Sequence, residues 1–176
     1  SFLFLFTAIS LFLIMLSYNI DDPSFRSATS ESTKNLFGSF GSHIADPLHL
    51  SLGISYLLLI FIILVWSWRL TFDDIKKRMI SRLVFFPLPL ATTAVFLSTY
   101  PPSSEWQFSY GLGGIFGDTV LAFLLETGIL GPNILLHIVS VSFALLTLIF
   151  TGYLTATDLK ETKKLTKLFF LSLLDG

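Results

Sequence analysis

The chain lacks cysteine altogether and has little charge: of its 176 residues none is Cys and only 13% are Asp, Glu, Lys or Arg, against about 25% in soluble domains. The missing thiols exclude disulfides and thiolate metal sites and leave the redox compartment unread. The formal net charge of -1 excludes a nucleic-acid footprint or a polyacidic tail by total. Several chemical signatures are absent as well. There is no G-x-x-x-x-G-K-[ST] phosphate loop, no H-E-x-x-H and no G-x-S-x-G, so the segment has neither a nucleotide grip nor a zincin site nor a nucleophile elbow to work with. The glycines Gly111, Gly113, Gly114 and Gly117 have no following Lys and read as backbone, not as a phosphate cradle.

What the chain has in excess is apolar bulk. It is 53% hydrophobic with 19 Phe residues and a mean hydropathy of +0.77. These residues fall in long blocks, which means that lipid is the solvent. Four blocks are expected to be transmembrane helices, at residues 1–18, 48–68, 83–100 and 134–154. Each is close to the roughly 20 residues needed to cross about 30 Å of hydrocarbon, and none contains Asp, Glu, Lys or Arg. Tyr18, Trp66, Trp68, Tyr100 and Tyr153 stand at block ends and are expected to anchor in the headgroup layers. The first block opens at Ser1 with no Met and no basic region before it. It is therefore expected to be part of a longer protein and not a cleaved signal peptide.

Lys and Arg orient the blocks. Arg69, Lys76, Lys77, Arg78 and Arg82 flank the second connection and Lys160, Lys163, Lys164 and Lys167 follow the fourth block, nine of the 11 basic residues; only Arg26 and Lys34 lie in the first connection and none in residues 101–133. This asymmetry predicts cytoplasmic termini and outward-facing first and third connections. Residues 71–82 are predicted to form a short inner helix with Thr71 as its N-cap, Asp73 and Asp74 early and cations late. Residues 155–176 are expected to form a basic, amphipathic cytoplasmic segment.

The outer connections carry the punctuation. Asp22-Pro23 is a turn signal after the first block. Gly38 and Gly41 are expected to allow tight turns before a helix that starts at Pro47 behind an Asp46 cap. Asp118 to Thr127, after Phe116, is predicted as an amphipathic helix over about 115–127, with Val120, Phe123 and Leu124 on its apolar face and Asp118, Ala122 and Glu126 on the other. It is too short to span and is expected in the outer interface or partly re-entrant. His43, Asp46 and His49 are the one His and carboxylate cluster, but a helix start at Pro47 would split them, so ordinary interface polarity is expected over a metal site. His137, inside the fourth block, is expected to be a neutral imidazole bonded to a neighbouring helix, with Ser140 and Ser142 as interhelical hydrogen-bonders.

Ser17-Tyr18, Asp22-Pro23-Ser24-Phe25, Asn35-Leu36, Gly38, Gly41, Ala45-Asp46, Leu48 and Gly53, then Gly113-Gly114-Ile115, Gly117 and Phe150-Thr151-Gly152, together resemble the N-terminal membrane domain of the FtsK/SpoIIIE family of bacterial DNA translocases. The resemblance covers about Ser17 to Gly152 and rests on order and spacing. It implies an all-α domain of four transmembrane helices, with an extra non-spanning helix outside, joined through residues 155–176 and a linker to a hexameric RecA-like motor that uses ATP and Mg to pump double-stranded DNA. It also implies an inner-membrane protein enriched at the division septum. Its partners would be the lipid bilayer and other cell-division membrane proteins, with homo-oligomers formed through the motor. No cofactor, metal, catalytic group or nucleic acid is expected on this segment itself. Tyr18, Asp22, Pro23, Ser24, Gly38, Gly41, Asp46, Gly53, Gly113, Gly114, Gly117 and Gly152 are carried over as structural motif positions. The alternative from another class is a small channel or transporter built on one re-entrant helix between Gly114 and Gly131.

Overall fold

The computed structural model describes residues 2–29, 32–72, 79–126 and 131–155. Among these residues the chain is helical and has no strand. The elements are α1 (Phe2–Leu16), α2 (Gly38–Leu52), a 3-10 turn at Gly53–Ser55, α3 (Tyr56–Phe72), α4 (Met79–Phe85), α5 (Pro87–Ser98), α6 (Gly114–Glu126) and α7 (Pro132–Thr155). Two stretches, Gly38–Thr71 with 34 residues and Asn133–Thr155 with 23, are long and apolar enough to cross a bilayer, while Phe2–Leu16 and Arg82–Ser98 are shorter apolar helices.

The bundle is two long pairs joined side by side. α1 packs along α3 and α5 along α7, with α6 laid onto α5 and α2 against α6. Three apolar clusters hold these contacts. Ile14, Met15 and Ala45 join α1 to α2; Val95, Leu121 and Val139 join α5, α6 and α7; Ile62, Trp66 and Leu154 join α3 to the end of α7. Around them the surface is apolar too. Phe2, Phe6, Leu57, Phe61, Ile138, Val141 and Ile149 all stand exposed. In water each such side chain would forgo roughly 1.5–3 kcal/mol of burial, so hydrocarbon is the solvent that suits this surface. Hydroxyls supply the polar contacts between α5 and α7. Thr147 Oγ1 bonds Thr92 Oγ1 at 3.0 Å and Thr99 Oγ1 bonds Ser140 Oγ at 3.1 Å, in the manner of small polar side chains between membrane helices.

Several expectations fail here for tertiary reasons. The helix before the second block starts at Gly38, so Pro47 lies inside α2 and Asp46 is no N-cap. Its carboxylate is taken by donors from the first connection, and long-range pairing displaces local capping. Gly41 likewise is helical, buried under the Asn35 side chain. Thr71 is the penultimate residue of α3 and donates back to Ser67 O at 2.9 Å, so it lies inside a helix that began upstream; residues 73–78 of that expected inner helix, and 156–176 of the basic segment, lie outside the described residues. The third block is broken at Phe86, and Pro87 starts α5 as its first residue, where its fixed φ and missing N–H cost nothing.

Side-chain directions also differ. Trp66 is no headgroup anchor: it is buried, and its Nε1 donates to Leu154 O at 3.0 Å. His137 bonds Asn133 O of its own helix at 2.7 Å, not a neighbour. Ser140 does reach across to α5, whereas Ser142 is exposed. In α6 the buried side is Gly114, Gly117 and Leu121, while Phe116 and Phe123 face outward. The glycines are interior because they admit the backbone of α5, and Val120 and Leu124 of the expected apolar face are partly buried against the same cluster.

Candidate functional site

The family-motif positions gather where the first and third connections meet over the ends of α1 and α5. At the centre is the Asp46 carboxylate, only 3% exposed, which receives four donated hydrogen bonds. Arg26 grips it with two, Nη2 to Oδ1 at 2.5 Å and Nε to Oδ2 at 2.9 Å. Tyr18 Oη donates to Oδ1 and Ser24 Oγ to Oδ2, each at 2.9 Å. A carboxylate this buried is tolerable only when both oxygens are satisfied and its charge is met. Bonding to Asp46 in turn pushes the Arg26 guanidinium above its already high range.

Local turns bring these donors to Asp46. Ser24 Oγ accepts from the backbone N–H of Arg26 at 3.2 Å and of Ser27 at 3.3 Å, closing a hydroxyl-centred turn. Asp22 accepts from the backbone N–H groups of Lys34 at 2.8 Å and Asn35 at 2.9 Å, which ties the two halves of the connection together. Asn35 Nδ2 donates to Ile14 O at 2.8 Å, and Ser42 Oγ donates to Pro23 O at 2.6 Å. These bonds fasten the loop to α1 and α2. A Cβ on Gly41 would strike the Asn35 side chain, so glycine is required for that closeness.

Beside Asp46, His49 sits in a box of rings. Its ring centroid is 4.4 Å from Phe108, 4.8 Å from Tyr18, 5.7 Å from Trp106 and 6.0 Å from Tyr56. Its Nδ1 is 2.8 Å from Tyr110 Oη. Burial pushes the Tyr110 phenol up, so it keeps its proton for that bond. Trp106 Nε1 donates to Tyr110 O at 2.5 Å, which holds the third connection folded over the histidine.

A second seam is made of glycine. Ile54 N donates to Leu112 O at 2.9 Å, and Gly53 (φ +55) lies directly against Gly114 (φ +70), each in a conformation that disfavours a side chain. Gly113 and Gly117 both rest on Ala94 O and Ser98 Oγ of α5, so added Cβ atoms would collide with that helix. Asp118 then latches the crossing by accepting from Ser98 Oγ at 2.7 Å and Gly111 N at 2.6 Å.

The structure thus unites Tyr18, Ser24 and Asp46 in one network, places Asp22, Pro23, Gly38 and Gly41 around it, and sets Gly53, Gly113, Gly114 and Gly117 in the adjoining seam. Gly152 stands apart, half-buried in α7. Of the cluster weighed as metal ligands, His43 bonds Ser39 O on its own helix, Asp46 is taken by Arg26, and His49 is boxed by rings. Arg26, Asp118 and the ring box were missed by sequence reasoning. The Gly113-x-x-x-Gly117 spacing was a signal available for the α5 crossing. Arg26 looked like one charge in a polar loop. Both buried carboxylates are satisfied, Asp46 by Arg26, Tyr18 and Ser24 and Asp22 by the backbone N–H groups of Lys34 and Asn35. What the site does is fasten two connections and four helices into one cap.

The sequence profile described as the 4TM region of DNA translocase FtsK/SpoIIIE matches residues 1–160. The chain belongs to this family. Relatives titled DNA translocase FtsK include those of Caulobacter vibrioides, 34% identical over 115 residues, covering 63% of this chain and 14% of the relative, and of Azospirillum brasilense, 35% identical over 113 residues, covering 63% and 18%. That of Rhizobium meliloti is 36% identical over 121 residues, covering 66% and 13%. The chain therefore spans less than a fifth of the FtsK relatives it matches. No solved structure matches it. The FtsK/SpoIIIE 4TM assignment accounts for the apolar exterior, because a region of this kind faces lipid.

Proposed function

We propose that this 4TM region anchors an FtsK-like DNA translocase in the bacterial inner membrane and targets it to the division septum, coupling chromosome segregation to cell division. The observation that carries the proposal is the family match over residues 1–160, supported by the apolar helices. Four spans fit the helices: α1, α3 continued from the Gly53 turn, α4 with α5, and α7. α6 is then a non-spanning helix on the outer side. Nine of the 11 Lys and Arg residues flank the second connection or follow the fourth block, which favours cytoplasmic termini and an outward cap.

The action is positional. A spanning bundle confines the attached motor to the membrane plane, where assembly raises its effective concentration. ATP, Mg and double-stranded DNA are handled by the motor of the longer protein, which forms the homo-oligomer. Other division membrane proteins would meet the 4TM region. The channel or transporter alternative draws no support from the family. The test is to delete residues 1–154 from the full-length gene and image the remaining protein in dividing cells. Dispersal from the septum is expected, and a motor that still concentrates there refutes the targeting role.

A further inference from the structure

We propose that α2 is a membrane-surface helix, seated at the headgroup–acyl boundary on the capped side through Leu36, Phe37 and Phe40, and not the first half of a span. The inference rests on reading the chain as a membrane domain and adds a second non-spanning helix to it.

Length argues first. As one continuous helix the 34 residues of Gly38–Thr71 would measure about 51 Å at 1.5 Å per residue, far beyond the roughly 30 Å of hydrocarbon. Gly53 interrupts them with φ 55 and ψ -140, a backbone state that redirects the chain. α3, with 17 residues, suffices for most of the crossing when joined to the Gly53–Ser55 turn.

The placement of α2 argues next. Just before its start, Asn35 Nδ2 donates to Ile14 O at 2.8 Å and Leu36 N to Ser17 Oγ at 3.0 Å. Near its end, His49 stacks on Tyr18 at 4.8 Å. A helix of 15 residues is about 22 Å long, yet the residues just before its start and His49 near its end both meet residues 14–18, at and just past the end of α1. It therefore lies across the end of α1, not along it.

Ser42, Asp46 and His49 of α2 are buried against the protein, while Phe40 in its first turn is 69% exposed and Leu36, in the turn just before the helix, is 68% exposed with Phe37 beside it. No Asp, Glu, Lys or Arg occurs between Leu36 and Ala45. Leu36 N is bonded to Ser17 Oγ, the neighbour in sequence of Leu16, itself 67% exposed at the end of α1, so these side chains continue the surface that α1 presents to hydrocarbon. Three side chains are too few for a stable protein interface, but they suit the shallow insertion of an interfacial helix.

The test uses single cysteines at Leu36 and Phe40, with Ser27 and Ile149 as controls, in the full-length protein freed of other cysteines and reconstituted in vesicles of phosphatidylethanolamine and phosphatidylglycerol. Each is labelled with a nitroxide, and its relaxation by oxygen and by a water-soluble nickel chelate is compared; a variant whose helix content by circular dichroism departs from the parent is replaced by one at Phe37. Leu36 and Phe40 are expected to favour oxygen at a depth shallower than Ile149, and Ser27 to favour the chelate. Chelate-dominated relaxation at Leu36 and Phe40 overturns the proposal, as does protection from both reagents, which would mean a protein neighbour or a second copy. A depth equal to that of Ile149 also overturns it. Chelate access at Ile149 would instead refute the membrane reading itself.

Discussion

Replacing Arg26 with Met tests whether the Asp46 network is what closes the cap. The Arg26 side chain is 44% exposed and Asp46 only 5%, so the change removes the screened partner and leaves the buried one charged. Breaking a fully buried pair costs 3–5 kcal/mol. Because the guanidinium is nearly half in solvent, its contribution is discounted, and Tyr18 and Ser24 still donate to the carboxylate. A loss of about 2 kcal/mol follows, with roughly 1 kcal/mol more for Tyr18→Phe as one hydrogen bond to a charged acceptor. Asp46→Asn should lose part of the same energy, since one oxygen still accepts from Arg26. The assay is reversible unfolding in mixed detergent micelles, followed by Trp106 fluorescence in a protein whose Trp66 and Trp68 are replaced by Phe, for Arg26→Met, Asp46→Asn and the double variant. Residues in one network should show a coupling energy of at least about 1 kcal/mol. Additivity within about 0.5 kcal/mol, or an Arg26→Met cost below that, would refute the network as the closing element.

The glycine seam predicts an asymmetry between two otherwise similar substitutions. At Gly117 an added methyl meets Ala94 O and Ser98 Oγ, whereas at Gly131 nothing lies within 4 Å; Gly117→Ala should therefore cost about 1–3 kcal/mol by overpacking in the same unfolding assay, and Gly131→Ala should stay within about 0.5 kcal/mol. For orientation, cysteines at Ser27 and Ser81 should separate in intact cells. An impermeant thiol reagent is expected to modify Ser27→Cys and spare Ser81→Cys, and the reverse pattern would invert the proposed topology.

Fold class was legible because its cause is compositional. Blocks such as Leu57–Trp66 and Ile134–Leu154 have one possible solvent, and that follows from residue type alone. The family resemblance was also legible, since order and spacing survive without knowledge of contacts. The roles of its motif positions were not. Asp46 followed by Pro47 satisfies every local rule for a helix start, yet Tyr18, Ser24 and Arg26 reach it from 28, 22 and 20 residues away, and no local pattern encodes that meeting. How α6 meets α5 was not legible for a related reason: its apolar face could be read from periodicity, but not that Gly114 and Gly117 turn inward to gain backbone contact.

The sequence by itself determined that this chain is helical, lipid-facing and uncharged within its apolar blocks, because those properties are sums over residue types. Only the tertiary structure decided which polar groups pair at the cap, where the Gly38–Thr71 helix breaks, and which face of α6 is interior. Each of those depends on a partner distant in sequence, whose approach is set by packing and not by local preference.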